Sequence, residues 1–328
     1  MSFEHPNRNN ESMIDVERDI MSRPSERNTT NLDLQRMKMI LDIMGHPEQS
    51  FRVIHITGTN GKGSTARMAE AICRAYGMRT GLYTSPHLEH VNERIAIDGQ
   101  QLSDDDFVDT WDQVKDLVAI VDMKMDELGK PKMSFFEVLT AMAIWKFADA
   151  PVDVAIVEVG MGGRWDATNV LDADAAIIGP VDMDHMAWLG DTVEEIATEK
   201  VGIIKPNCTA IIGRQPHEDE VMPIIEAAAK ENHASLVRDG VESEVVTRVP
   251  AVGGQVATLR TPERHLHGST DRQIRRASGT QRARRTVRGG SGDSRQRRVG
   301  RRFGGRSVEQ RTHSGTYRTN SYLAYHHP

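Results

Sequence analysis

From residue 52 onward, short apolar runs alternate with segments whose apolar side chains recur at helical spacing. The predicted strands are 53–57, 80–84, 152–159, 175–179 and 210–213. The predicted helices are 32–44, 64–76, 103–117, 134–147, 192–204 and 218–231. Continuously apolar strands separated by helices are typical of a parallel sheet that is covered on both faces. We therefore predict an α/β fold with a mostly parallel, doubly wound sheet that binds ligands beyond the carboxyl ends of its strands.

The charge of the chain changes sign near residue 260. Residues 1–260 carry 25 Lys and Arg against 43 Asp and Glu, whereas residues 261–328 carry 16 arginines, four acidic residues and no lysine. Only seven residues of this second part are Leu, Ile, Val or Phe, too few to offset the entropy of folding. We predict a loosely held polar arm over 1–30, a folded domain over 31–260, and a disordered Arg/Gly-rich tail over 261–328.

The arginine-rich tail has two interpretations. A basic arm of this kind binds nucleic acid through phosphate contacts. Alternatively, the segment is translated out of frame, because GC-rich coding DNA in a shifted frame yields Arg, Gly, Ser and Thr. The absence of lysine favours the second interpretation, since selection for positive charge alone has no reason to exclude lysine. We do not expect nucleic acid to be a partner.

Composition excludes several other classes of protein. The two cysteines, Cys73 and Cys208, are too few for a disulfide framework or a cysteine-rich zinc site. The N-terminus lacks an apolar segment of signal-peptide length. The longest apolar stretch, 135–148, is interrupted by Glu137 and Lys146 and is too short to span a bilayer. We expect a soluble cytoplasmic protein that makes no membrane contact.

The strongest local motif is a glycine-rich loop between the predicted strand 53–57 and the helix 64–76. Its candidate nucleotide-binding residues are Thr57, Gly58, Thr59, Asn60, Gly61, Lys62, Gly63, Ser64 and Thr65. Such glycines let backbone N–H groups approach an anion at the start of a helix, and Lys62 adds a charge for the outer phosphates. The hydroxyl of Ser64 or Thr65 is available to Mg²⁺. The motif departs from strict P-loop spacing, because Ile56 stands where the first glycine belongs, and a glycine-rich turn without phosphate is the alternative.

Together with this loop, three further blocks resemble the folylpolyglutamate synthase/dihydrofolate synthase family of the Mur ligase superfamily. The four blocks are TGTNGKGS at 57–64, TSPHL…NERI at 84–95, EVGMGGRWDATN at 158–169, and DHMAWLGDT…IATEKVGIIK at 184–205. The resemblance covers about residues 32–260 and implies a Mur-ligase-type ATP-binding domain. It also implies the substrates ATP, L-glutamate and dihydropteroate or folate, an acyl-phosphate intermediate, the cofactor Mg²⁺, and a monomer.

The resemblance also assigns site residues. Glu158 ends a predicted strand and matches the family's metal-binding glutamate, while Ser85 matches its serine ligand and Ser64 offers a hydroxyl. His185 on its own is an ordinary loop histidine, but the matching block implies a second metal ligand, with Asp184 as its partner. The implied catalytic residues are Lys62, Lys200 and His185.

The sequence leaves more than one interpretation open for the roles of two residues. Lys200 falls on the apolar stripe of helix 192–204, and a buried unpaired ammonium is costly. Its side chain either reaches solvent or a carboxylate, or it is the carbamylated lysine that the family carries. Arg94 either holds a substrate, orders its loop or forms a surface ion pair.

The chain departs from the family after Leu259. The second domain's Asp-Gly-Ala-His-Asn-Pro-like motif is absent from the sequence, which indicates a truncated or frameshifted product without the C-terminal ligase domain. For such a product we expect retained ATP binding and weak or absent ligase activity. The alternatives are another amino-acid ligase of the superfamily and a nucleotide-binding protein with a nucleic-acid-binding tail.

Overall fold

A computed structural model describes residues 12–25, 33–251, 254–261 and 265–270. The helices are α1 Met13–Met21, α2 Gln35–Met44, α3 Lys62–Ala75, α4 Asp104–Glu127, α5 Phe135–Asp149, α6 Met186–Leu189, α7 Val193–Lys200 and α8 Glu218–Glu231. The strands are β1 Arg52–Thr57, β2 Thr80–Tyr83, β3 Ile95–Ile97, β4 Gln100–Gln101, β5 Val154–Glu158, β6 Ala175–Ile178, β7 Thr209–Ile212, β8 Ser235–Arg238, β9 Glu244–Ala251, β10 Gly254–Arg260 and β11 His265–Thr270.

The main sheet confirms the predicted α/β fold. Its strand order is β4-β3-β2-β5-β1-β6-β7-β8, and all the pairs from β2 to β8 are parallel. Only the short edge strands β3 and β4 are antiparallel. In the centre, Ile56 of β1 lies opposite Glu158 of β5 on one side and Ile177 of β6 on the other.

The connections that leave β1 and β6 run in opposite directions. The chain passes from β1 through α3 to β2, and from β6 through α6 and α7 to β7 on the other side. In doubly wound sheets such a reversal opens a crevice beyond the carboxyl ends of the two strands. The glycine-rich loop follows β1 at this crevice.

Helices cover both faces of the sheet, as predicted. Ile56 and Ile156 pack against Ala66 of α3 on one face. The largest cluster, on the other face, joins α1, α2, α4 and α5 around side chains such as Phe107 and Leu139. A third cluster joins α7 and α8 to β6 and β7.

Helix ends follow local signals in the sequence. The α5 helix begins with a capping box, in which Ser134 and Glu137 each bond the other's backbone N–H. Thr192 and Glu195 cap α7 in the same way. The predicted C-cap Gly45 ends α2 with a φ of 77°.

Several boundaries differ from prediction. The α4 helix continues ten residues past the predicted end, because Val118, Val121 and Met125 extend its buried face. The predicted helix 192–204 ends at Lys200 and continues as a 3₁₀ turn over 201–203. The predicted strands do not include β3, β4, β8, β9, β10 or β11. β3 and β4 are only three and two residues long, too short to show a period.

The predicted loose arm over 1–30 is wrong for residues 13–21. These residues form α1, in which Val16 and Ile20 are fully buried against the largest core cluster. Met13 packs against the same cluster, so apolar positions at helical spacing anchor this helix although the predicted arm as a whole is mostly polar. The remainder of the predicted arm, at 1–11 and 26–30, lies outside the described residues.

The described residues fall into two compact units. One holds 12–247 with 258–267, and the other holds 248–257 with 268–270. The strands β9, β10 and β11 form a sheet of their own, in the order β11-β10-β9. β11 lies within the predicted disordered tail and corrects that prediction for its six residues, while 271–328 lie outside the described residues. None of the described helices has the length and apolar character needed to cross a membrane.

Candidate nucleotide site

The glycine-rich loop turns tightly between β1 and α3. Gly58 has a φ of 146°, and a Cβ added there would lie 3.1 Å from the Cα of Gly179, so glycine is required for this close approach. The N–H of Thr59 donates to the carbonyl of Pro180 at 2.8 Å. These contacts fix the loop on the segment that follows β6, at the crevice that the topology predicts.

The first turn of α3 presents backbone donors beside this loop. Gly61 precedes the helix with a φ of 81°, so Lys62, Gly63 and Ser64 form its first turn. The first N–H groups of a helix have no partner within the helix, and the helix dipole is positive there. Ser64 is exposed, whereas the hydroxyl of Thr65 donates to the Gly61 carbonyl at 2.8 Å. This turn therefore offers its backbone N–H groups and the exposed hydroxyl of Ser64 to an anion.

The ammonium of Lys62 lies over the loop. Its Nζ donates to the carbonyl of Gly58 at 2.9 Å and to that of Thr59 at 3.3 Å. A phosphate oxygen is a stronger, charged acceptor for the same donors. Lys62 is therefore held beside the loop, where a bound phosphate would compete with the two carbonyl oxygens for its ammonium group.

The carboxylate of Glu158 lies against the same turn. Glu158 is 3% exposed at the end of β5, and its Oε2 accepts the Ser85 N–H at 3.0 Å. A Cβ added at Gly63 would lie 3.3 Å from this oxygen, so the glycine leaves room for the carboxylate. Burial raises the pKa of Glu158, although the Ser85 N–H and the charge of Lys62 oppose the rise. The structure therefore brings Glu158, Ser85 and the loop together.

Lys200 is buried at the end of α7, as its position on the apolar stripe predicts. Its side chain is 1% exposed, and burial lowers its pKa to about 8. The charge of Lys62 contributes to this lowering of the pKa, while Asp184 and Asp166 oppose it. Two lysines whose charges repel each other favour the binding of an anion in their neighbourhood.

His185 lies at the start of α6 with a φ of 49° and is exposed. Its Nε2 is 3.6 Å from a carboxylate oxygen of Asp184, which is longer than a hydrogen bond, so the role of Asp184 as its partner stays a prediction. Within the part of the chain that the structure describes, no three His, Cys, Asp or Glu side chains converge on one point. A metal ion beside Glu158 would therefore need hydroxyl, water or phosphate oxygens, and the role of His185 as a ligand stays a prediction.

Arg94 orders the loop that follows β2. It is 7% exposed, its Nε donates to the Nδ1 of His87 at 2.9 Å, and its guanidinium lies 5.2 Å from the ring centre of Phe135. Burial and the charge of Arg94 lower the pKa of His87. The interpretation of Arg94 as a surface ion pair is wrong, because the side chain is buried.

Gln215 also shapes the crevice, and sequence analysis missed it. It is 6% exposed, and its Oε1 accepts the N–H of Val181 at 2.9 Å. Its Nε2 donates to the carbonyls of Gly179 at 3.1 Å and Gly213 at 2.7 Å. Gln215 thereby fixes the wall against which Gly58 packs. Its only signal in the sequence is a polar residue two positions after a predicted strand.

We expect the substitution Gln215→Glu to weaken ATP binding about tenfold, because a carboxylate would face two carbonyl oxygens in place of their donor. Isothermal titration calorimetry with ATP measures the effect. The matched control is Gln49→Glu, which makes the same change at an exposed position. If Gln215→Glu and Gln49→Glu bind ATP with equal affinity, the backbone segments that Gln215 holds do not position the glycine-rich loop.

Comparison with known proteins places the chain in a family. A family model, the Mur ligase middle domain, matches residues 56–255, which is more than half of the chain. The chain belongs to the Mur ligase family. The resemblance inferred from the four motif blocks is thereby confirmed.

Three relatives of this Mur ligase family member are informative. The dihydrofolate synthase/folylpolyglutamate synthase of Mycobacterium tuberculosis is 48% identical over 69% of this chain and 48% of its own length. A crystal structure of M. tuberculosis folylpolyglutamate synthase complexed with ADP and AMPPCP matches with a TM-score of 0.69 and 47% identity, covering 75% of this chain and 54% of that one. An FPGS–AMPPCP–folate complex matches with a TM-score of 0.73 and 30% identity, covering 80% and 62%. The chain spans about half the length of the curated relatives that it matches.

Proposed function

We propose that this chain binds Mg²⁺-ATP and serves the ATP-dependent ligation of L-glutamate to a folate-type acid, dihydropteroate or folate. The observation that carries the proposal is the buried carboxylate of Glu158 against the first turn of α3, beside the loop that holds Lys62. The relatives named dihydrofolate synthase/folylpolyglutamate synthase supply the substrate class.

In the proposed reaction, an oxygen of the acid's carboxylate attacks the γ-phosphorus of ATP, and ADP leaves. The amine of glutamate then attacks the acyl phosphate, phosphate leaves, and the amine loses a proton to solvent as the amide forms. Both the attacking carboxylate and the phosphate are anions, so positive charge must offset their repulsion. Lys62 and the N–H groups at the start of α3 supply that charge and orient the phosphates.

The residues beside the loop fit a magnesium ion. Mg²⁺ prefers oxygen ligands and usually keeps several waters. Glu158 provides a carboxylate whose burial favours binding a cation. Ser85 donates its N–H to this carboxylate, and Ser64 follows Gly63 in the first turn of α3, so both serines provide hydroxyl groups nearby. His185 would be a less usual ligand for so hard an ion. When bound, the ion would supply charge neutralisation at the phosphates.

We propose further that Lys200 is carbamylated. The neutral amine attacks CO₂, an N–C bond forms, and one proton goes to solvent, which leaves an anionic carbamate. A pKa of about 8 leaves a sizeable neutral fraction at slightly alkaline pH, as this reaction needs. A carbamate would also replace the repulsion between Lys200 and Lys62 by attraction.

We expect the chain, equilibrated with ¹³C-bicarbonate, to show one carbamate carbon resonance that Lys200→Met removes. Its intensity should rise with pH through about 8, since only the neutral amine reacts. The control Lys230→Met alters an exposed lysine of α8 and should keep the resonance. A spectrum without the resonance, or one that both variants retain, would contradict carbamylation.

ADP release by the purified chain tests the function. We expect release to require both glutamate and a pterin acid, with dihydropteroate and tetrahydrofolate assayed separately. ADP release that is independent of both acids would indicate another chemistry, and stimulation by a different amino acid would indicate another ligase of the superfamily. If ATP binds without ligation, the chain supplies only the nucleotide-binding step.

Two further expectations stay predictions. Light scattering would test whether the chain is a monomer, and cell fractionation would test whether it is located in the cytoplasm.

A further inference from the structure

A fully buried histidine lies on β1, two residues before the glycine-rich loop. His55 is 0% exposed, and its Nε2 is 2.8 Å from the hydroxyl oxygen of Thr168. Its Nδ1 is buried without a partner among the described residues. Burial lowers the pKa of His55 to about 3, with a smaller contribution from the charge of Lys205, so the ring is neutral.

The hydrogen bonds assign the tautomer of this ring. The Thr168 hydroxyl donates its proton to Oδ1 of Asp166. It therefore accepts from His55, whose Nε2 must carry the ring proton. A chain of donors runs from His55 through Thr168 to the buried carboxylate of Asp166.

Asp166 in turn organises the loop that follows Glu158. Its Oδ1 also accepts the N–H of Thr168 at 3.0 Å, and its Oδ2 accepts the N–H of Met161 at 2.9 Å. A second link starts from the same face of β1, where the hydroxyl of Thr57 donates to the carbonyl of Gly162 at 2.7 Å. Two side chains of β1 thus hold the segment that begins where Glu158 ends β5.

Packing alone does not account for a histidine at this position. An apolar residue would fill the space without burying an unpaired Nδ1 acceptor, which is unfavourable. Among the described residues, His55 makes one hydrogen bond, which leads through Thr168 to Asp166. Its role lies in that connection.

We propose that His55 is a positioning residue that couples the glycine-rich loop to the carboxylate of Glu158 through Thr168 and Asp166. The coupling fixes the spacing between the donors that bind phosphate and the carboxylate that would hold the metal ion. This inference rests on the proposed Mg²⁺-ATP site. Small displacements of such groups weaken their joint action strongly, by about 100-fold for 1 Å in catalysis.

Two pairs of variants separate positioning from folding. His55→Leu and Thr168→Val remove the donor chain at nearly constant volume. His55→Gln retains an N–H donor at similar reach, and Thr168→Ser retains the hydroxyl. Calorimetry with AMPPCP, with and without Mg²⁺, measures the gain in affinity that Mg²⁺ provides, and denaturant unfolding is measured in parallel.

We expect His55→Leu and Thr168→Val to reduce the Mg²⁺-dependent gain about tenfold or more, with little change in Mg²⁺-free affinity or unfolding midpoint. The conservative variants should restore most of the gain, and the double variant should be no worse than either single one. Equal gains in all variants, or losses that follow the unfolding midpoint, would overturn the proposal. A wild-type chain that binds no nucleotide would instead overturn the proposed function.

Nitrogen-15 NMR of the histidine rings provides a readout without ligand. We expect His55 to show the Nε2–H tautomer, with no titration between pH 5 and 8, and its N–H proton to shift in Thr168→Val. Asp166 is the charged end of this donor chain, and Lys205 is the nearby charge that acts on His55. Burial raises the pKa of Asp166, while the hydrogen bonds from Thr168 and Met161 oppose the rise. An Nδ1–H tautomer would contradict the donor chain.

Discussion

Replacing Lys62 by alanine should reduce ATP affinity by about 100- to 1,000-fold, because removing one partner of a hydrogen-bonded charge pair costs several kcal/mol of binding free energy. The lysine is the only charged side chain that donates into the loop among the described hydrogen bonds, through the carbonyls of Gly58 and Thr59. The backbone of α3 does not depend on this side chain, so the far-UV circular dichroism spectrum should be retained. Calorimetry with ATP provides the measurement.

A matched control for this substitution is Lys230→Ala. Lys230 lies in the last turn of α8, is exposed, and belongs to neither the loop nor its neighbours. Its replacement should leave ATP affinity and stability near the wild-type values. If Lys62→Ala binds ATP as tightly as this control, the assignment of the loop to phosphate is wrong.

Replacing Glu158 by glutamine should abolish most of the Mg²⁺-dependent part of nucleotide binding, by roughly 100-fold or more, because it removes one charge of a close pair. The amide retains an oxygen that accepts the Ser85 N–H but carries no charge for a cation. The Mg²⁺-free affinity should change much less, because Lys62 and the helix N–H groups remain. Titrations of AMPPCP with and without Mg²⁺ separate the two effects.

The same substitution should make the protein more stable at neutral pH. Burial raises the pKa of Glu158, so its ionised form is less favourable in the folded than in the unfolded chain. Ionised Glu158 therefore destabilises the folded chain. This effect is absent at pH values below the ordinary glutamate pKa and complete at pH values above the raised pKa of Glu158. The free energy of unfolding of Glu158→Gln, relative to wild type, should therefore increase as pH rises through that interval.

A matched control for Glu158 is Glu70→Gln on α3. Glu70 is 1% exposed, but its carboxylate accepts from the Thr80 hydroxyl at 2.7 Å and from Arg74 at 2.9 Å. Its replacement should reduce stability and leave the Mg²⁺-dependent gain unchanged. If both variants lose the gain in nucleotide affinity that Mg²⁺ provides, the loss is not specific to Glu158. That result would contradict a cation site at this residue.

Much of the site was predictable because it follows from local chemistry. The loop residues occur consecutively, and strands of a parallel sheet end at one edge, so Lys62 and Glu158 were expected to approach. The burial of Lys200 followed from the helical period of its segment. By contrast, the contribution of Gln215 depends on which carbonyls lie within its reach, and sequence spacing carries no such information.

The sequence by itself determined the alternation of the central parallel strands with helices and the positions of the glycines and caps, because each depends on residues close in the chain; it also predicts that the loop binds phosphate. Only the tertiary structure decided that the amphipathic segment 13–21 packs into the core, and that Arg94 is buried. It alone also placed His55 and Gln215 in contact with segments far away in sequence. The packing of 13–21 depends on where its apolar face finds a core, whereas the other outcomes depend on which buried polar groups find partners. A polar partner is decided by position in space, since an unpaired donor or acceptor is costly only where water cannot reach it.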